Sequence, residues 1–147
     1  PNGPAAAHPP LQATDAGLSR VAAWFTATGE ALERFSPGRG QASAVRIWPH
    51  HFDMATLVVL RDVPGDPEAM TSIGIGMTPG DGGIPRAYLY VTPWPYPEVR
   101  ATPALPAGRW QTEGWYGAVL EAPDITDAAT VQGFLRAAFD RLSAELG

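Results

Sequence analysis

The sequence predicts an α+β fold: a mainly antiparallel sheet of four to five strands, with an N-terminal and a C-terminal helix packed on one face. Three observations lead there. Apolar residues recur at helical spacing near both ends of the chain. Between them, several stretches alternate with the two-residue period of a strand. The links between those stretches are short and rich in Gly and Pro, which suits antiparallel neighbours.

In order, residues 1–13 are rich in Pro and Ala and are expected to be a flexible arm, which sets His8 aside. A single α+β domain is expected over 14–147. Thr14 or Asp15 can cap the first helix by accepting from free backbone N–H groups. Leu18, Val21, Ala22, Phe25, Ala31, Leu32 and Phe35 give that helix one apolar stripe, and Ser36-Pro37-Gly38 ends it. A short extended piece is expected up to Trp48, an irregular segment at Pro49 to His51, and a strand from Phe52 to Arg61.

Asp62 to Glu68 reads as a turn. Thr71 to Met77 reads as a strand with Ile73, Ile75 and Met77 on one face and Ser72, Gly74 and Gly76 on the other. Arg86 to Thr92 is the next strand. Ala87, Leu89 and Val91 share one of its faces, and Tyr88, Tyr90 and Thr92 share the other. The Pro93-Trp94-Pro95-Tyr96-Pro97 run is expected to end it, because X-Pro units favour extended conformations without ladder bonds. Trp110 to Leu120 reads as the last strand, with Glu113 and Trp115 on one face. Thr126 can cap a final helix whose stripe is Val131, Phe134, Leu135, Ala138, Leu142 and Leu146. Gly133 inside it suggests close packing on the sheet.

Composition excludes several chemistries. With 45% hydrophobic and 17% charged residues the chain is globular, and a net charge of -5 argues against a general nucleic-acid or anionic-membrane surface. No apolar run approaches the ~18 residues of a membrane span. The first residues, PNGPAAAHPP, lack the basic and apolar regions of a signal peptide, so a cytoplasmic location is expected. The chain starts at Pro1 rather than Met, which leaves room for an upstream segment. There is no Cys, which removes thiolate nucleophiles and Cys-held metals. Every basic residue other than His is Arg, so Schiff-base chemistry and a P-loop lysine are also absent. No cofactor and no metal site are expected.

The candidate site comes from alternation. Ile73, Ile75, Met77, Leu89 and Val91 suit a helix-covered face. The reverse face then sets Gly74 and Gly76 beside Tyr88 and Tyr90. Strand glycines leave room for something to approach the sheet, and tyrosines offer apolar rings with polar tips. An aromatic pocket with a few polar groups is the usual form of a small-molecule site. A ring packed over a glycine explains the same pattern without a ligand.

His50 and His51 point to opposite faces on a regular strand, so they do not readily serve one site. His51 and Asp53 share a face, where the carboxylate could orient the imidazole as a general base. Glu113 is the candidate second acid, or the third ligand in a metal reading for which the sequence has no recognised spacing. His50, Trp48, Tyr88, Tyr90, Trp94 and Trp115 are the expected substrate-binding residues, with His51, Asp53 and Glu113 catalytic. The TPGDGG loop matches no phosphate-binding fingerprint and reads as a hairpin turn.

Four stretches in one order, WPHHFDMAT, SIGIGMTPGDGG, AYLYVTPWPYP and LPAGRWQTEGWYGAVL, resemble an uncharacterised bacterial family, a domain of unknown function. The resemblance covers roughly Val45 to Leu120, with the last helix fitting its expected end. It implies no activity, cofactor or catalytic residue. Some proteins resembling this family carry extra sequence upstream.

Two functions follow. One is a domain that binds an unknown small molecule, with catalysis by the His/Asp/Glu cluster left open. The other is a non-catalytic interaction or self-association module, such as a homodimer, using the Pro-Trp-Pro-Tyr-Pro run as a rigid aromatic surface.

Overall fold

The computed structural model describes residues 14–49, 52–66, 69–98, 100 and 102–147. The arm expected over 1–13, with His8, and the paired His50 and His51 lie outside the described residues.

Helix α1 (Asp15–Phe35) is followed by strands β1 (Gln41–Ala42), β2 (Arg46–Trp48), β3 (Asp53–Arg61), β4 (Thr71–Thr78), β5 (Tyr88–Trp94), β6 (Arg109–Gln111) and β7 (Gly117–Glu121), a 3-10 turn (Ala122–Asp124), and helix α2 (Ala128–Leu146). The α+β class and the antiparallel sheet agree with the sequence expectation. The sheet has seven strands rather than four to five, in the order β1-β3-β4-β5-β7-β6, with β2 also paired to β3. The added strands are two or three residues long, too short for alternation to reveal.

One face of the sheet forms the core with both helices. Ile73, Ile75 and Met77 of β4, Leu89 and Val91 of β5, and Ala118 and Leu120 of β7 are buried there. They pack against Leu32 and Phe35 of α1 and Phe134, Leu135 and Leu142 of α2. Each of these side chains other than Ala118 contributes about 1.5–3 kcal/mol of hydrophobic free energy when fully covered.

Helix α1 starts where Thr14 Oγ1 accepts from the Gly17 amide at 3.1 Å. Its stripe is only half used. Thr28, Ala31, Leu32 and Phe35 are buried, whereas Leu18 and Val21 are exposed. The cap of α2 is Asp127, not Thr126: Asp127 Oδ1 accepts from the Thr130 amide at 2.7 Å, and Thr126 Oγ1 lies 2.6 Å from Thr130 Oγ1. A carboxylate one residue nearer the first turn outcompetes the hydroxyl for the free N–H.

Gly133 does not serve close packing, because a Cβ there would meet nothing within 4 Å. Gly133→Ala is therefore expected to raise stability by about 0.5–1 kcal/mol, by helix propensity alone. The check is a higher urea midpoint at unchanged m-value.

Several strand boundaries differ from expectation. β5 continues through Pro93 to Trp94, with Pro93 in register with Ile73 of β4. On its other side β5 pairs with β7 only over Tyr88–Val91, so beyond Val91 no ladder there needs an N–H from proline. The stretch expected as one strand from Trp110 to Leu120 is a hairpin, β6 and β7. Gly114 at φ 78° sits in the reversal, and Gln111 Nε2 donates to the Glu113 carbonyl at 2.6 Å. The chain also reverses between β2 and β3. Phe52 takes φ 55°, its amide donates to the Trp48 carbonyl at 2.8 Å, and its ring lies 5.5 Å from Phe25. β3 accordingly begins at Asp53.

Candidate functional site

The register builds the site on the face away from the helices. Ala55 of β3, Gly76 of β4, Tyr90 of β5 and Val119 of β7 form one cross-sheet row. Thr78, Tyr88 and Glu121 form the next row toward one sheet end, and Leu57, Gly74 and Thr92 the next toward the other. Directly paired residues on antiparallel strands share a face, so Tyr88, Tyr90 and Thr92 stand side by side here.

Glycine lets the rings lie flat against the sheet. A Cβ at Gly76 would fall 2.5 Å from Tyr90 Oη and 2.8 Å from the Met54 carbonyl oxygen. The Tyr90 side chain therefore crosses Gly76 toward β3. A Cβ at Gly117 would fall 2.6 Å from Trp115 Cζ3, so Trp115 lies over Gly117 in the same way. Tyr90 meets Trp115 edge-on at 6.4 Å between centroids and Tyr88 at 6.3 Å. Ring and glycine are thus packed together, and the cavity lies around the rings rather than over the bare strand.

Each of the two inner tyrosines is tied to a carboxylate. Tyr90 Oη donates to Asp53 Oδ2 at 2.6 Å, and Tyr88 Oη donates to Asp81 Oδ2 at 2.6 Å. Asp81 belongs to the Gly/Pro loop between β4 and β5. Its Oδ1 also accepts from the amides of Gly83 and Ile84 at 2.7 Å each, which folds the loop back over the sheet end. Gly80 at φ 122° lets the chain pass close to Pro85, whose carbonyl oxygen would be 2.8 Å from any Cβ. Burial raises the pKa of both phenols far above the ordinary tyrosine value. The hydrogen bond to Asp81 and its charge add to this for Tyr88, and those of Asp53 add to it for Tyr90. Both phenols therefore keep their protons across the physiological range.

A cavity of about 250 Å³ opens to solvent between these groups. Asp53 and Asp81 stand at its polar end, with Tyr88, Tyr90 and Trp115 as walls and Tyr96 at the exposed side. Thr92 lines it as well, with its hydroxyl donating to the Tyr116 carbonyl at 2.8 Å. Asp53 Oδ1 is buried and has no hydrogen-bond partner among the described residues.

The structure thus brings together four of the expected site residues: Asp53, Tyr88, Tyr90 and Trp115. Trp48 and Trp94 are about half exposed and do not line the cavity. Glu113 is exposed in the β6–β7 turn and is not among the residues that line the cavity. His50 and His51 lie outside the described residues. Asp53, expected to orient His51, accepts from Tyr90. Sequence reasoning passed over Thr92 as a site residue although it continues the tyrosine alternation. It also read Asp81 as a turn residue only, since no periodicity signals a loop that folds back. Among the described residues, no group of three or more His, Asp or Glu is placed to hold a metal ion, and no helix is long and apolar enough to cross a membrane.

No family model, curated protein or solved structure matches the chain.

Proposed function

We propose that this protein is a small-molecule-binding domain whose ligand occupies the cavity bounded by Asp53, Tyr88, Tyr90, Thr92 and Trp115. The observation that carries the reading is an aromatic-walled cavity, open to solvent, with two carboxylates at one end. Its walls are pre-formed: glycines seat the rings, and hydrogen bonds to Asp53 and Asp81 fix the tyrosine tips. A site whose side chains are held before binding loses less entropy when the ligand arrives. The same features favour binding over proton transfer. A general acid or base works best with a pKa near the operating pH, and these phenols lie far above it.

A screen of a chemically diverse fragment library tests the reading, by thermal shift and by amide NMR. Hits are expected to perturb Gly76, Tyr90 and Trp115, and Trp115→Ala is expected to weaken them about tenfold or more. A library in which no fragment perturbs those signals would overturn it.

A second reading, self-association, is favoured by the exposed aromatic and aliphatic residues on the helix-free face. Trp94 is 51% and Tyr96 40% exposed, and Trp48 and Leu57 are exposed as well. Sedimentation velocity separates the two readings. A dimer weakened about tenfold by Trp94→Ser supports this one, and a monomer at millimolar concentration rules it out.

A further inference from the structure

The polar lining of the cavity offers acceptors. Tyr88 and Tyr90 each have one hydroxyl proton, and both protons are committed to carboxylates. Thr92 has committed its proton to the Tyr116 carbonyl. What these oxygens still present is lone pairs. Asp53 and Asp81 are acceptor-only when ionised, and Asp53 Oδ1 is buried without a hydrogen bond among the described residues. A buried acceptor in this position is stabilised by a ligand that brings it a donor. No arginine lines the cavity among the described residues. Arg100 stands 5.4 Å from the ring centroid of Tyr96, on the exposed side of the cavity, and 5.8 Å from that of Tyr116.

Ligand chemistry follows by complementarity. An anion would meet two carboxylates and lone pairs, with no cation among the described lining residues to offset them. A neutral acceptor would find donors in the Thr78 and Tyr96 hydroxyls and the Trp115 indole, but would face both carboxylates as well. A cation with N–H groups meets acceptors at the polar end and the negative faces of Tyr88, Tyr90 and Trp115 along the walls. Attraction of a cation to such faces strengthens as water is excluded. The raised phenol pKa values act in the same sense, because they keep both hydroxyl protons on the tyrosines and directed at the carboxylates.

We propose that the ligand is an organic cation, a protonated amine on an apolar or aromatic body, held by Asp53 at the polar end and by the Tyr88–Tyr90–Trp115 wall. The inference rests on the cavity being the ligand site and adds the class of ligand.

Three probes of nearly equal shape test it at neutral pH: phenethylamine, phenethyl alcohol and 3-phenylpropionate. Each is titrated into the whole chain and followed by amide NMR and calorimetry. Phenethylamine is expected to perturb Asp53, Gly76, Tyr90 and Trp115 and to bind at least tenfold more tightly than the alcohol, with the propionate weakest. Asp53→Asn keeps an acceptor for Tyr90 and is expected to abolish most of the amine preference, read as the ratio of amine to alcohol affinity. The wild-type series decides the matter even if that variant folds poorly. Equal binding of all three probes at these residues, or a preference for the propionate, overturns the cation assignment and leaves the cavity as a ligand site. Perturbation confined to other residues overturns the cation assignment, and the fragment screen then decides whether the cavity binds anything.

Discussion

Gly76→Ala is expected to destabilise the fold by about 2–3 kcal/mol, while Gly74→Ala two residues away is expected to change it by less than about 1 kcal/mol. The two glycines share a strand and a face, so composition and β-propensity do not separate them. Their surroundings do. The added Cβ at Gly76 would lie 2.5 Å from Tyr90 Oη, 2.6 Å from its Cζ and 2.8 Å from the Met54 carbonyl oxygen. The backbone contact has no cheap escape, and moving Tyr90 breaks its 2.6 Å bond to Asp53. At Gly74 the closest atom would be Thr92 Cγ2 at 3.3 Å, a methyl that can yield by tenths of an ångström. Urea denaturation of both variants checks the contrast. Equal stabilities would mean that Tyr90 does not lie over Gly76. Gly76→Ala is further expected to weaken ligand binding in whatever fraction stays folded, because the displaced ring is a wall of the cavity.

That contrast bears on how much of the protein was legible in its sequence. Which face of β4 and β5 meets the helices could be read directly, since side chains alternate with a fixed period and only one set is aliphatic. The same alternation put Tyr88 and Tyr90 beside the strand glycines. Alternation does not say which way a ring leans, so a glycine kept open for a ligand and a glycine lying under a tyrosine look alike. The structure shows the second for Gly76, with the cavity displaced to the flank of the ring. Glu113 was separated from the site by one residue: Gly114 at φ 78° turns a segment with strand-like alternation into a hairpin. Asp81 was missed for the opposite reason. Its position depends on side-chain-to-backbone bonds within a glycine-rich loop, which leave no periodic trace. Asp53 is placed at the site by its histidine neighbour in the sequence, and the described structure adds a bond from a tyrosine 37 positions away. Strand pairing sets that contact, and pairing is what a single sequence specifies least well.

Alkaline pH is expected to unfold this protein steeply, and Tyr90 to account for a separable part of the slope. The chain has no lysine and no cysteine, so tyrosine is the side chain whose ordinary pKa falls between about 9 and 12. In the unfolded chain a tyrosine loses its proton around pH 10.0, whereas burial and the bond to Asp53 hold the Tyr90 proton to much higher pH in the folded state. The folded state therefore binds more protons above pH 10 than the unfolded state does. The stabilisation is fully present below that pH and is lost as the pH rises toward the folded pKa. Each such phenol contributes a slope approaching about 1.4 kcal/mol per pH unit. Tyr88 acts in the same direction through burial and Asp81, and Tyr116, pushed up to about 12 by burial and Glu145, does so as well.

Stability measured by urea denaturation at several pH values from about 9 to 11.5 should fall with a slope that Tyr90→Phe makes shallower by about 1 kcal/mol per pH unit. At neutral pH the same variant should lose about 1–3 kcal/mol, because both oxygens of Asp53 are then left without a donor among the described residues. The two effects have opposite consequences at the ends of the range, so the wild-type and variant curves should converge as the solution becomes alkaline. Parallel curves would show that the Tyr90 proton is not shared with Asp53. The acceptor character of the cavity depends on that proton being committed, so the pH series tests the site without any ligand in hand.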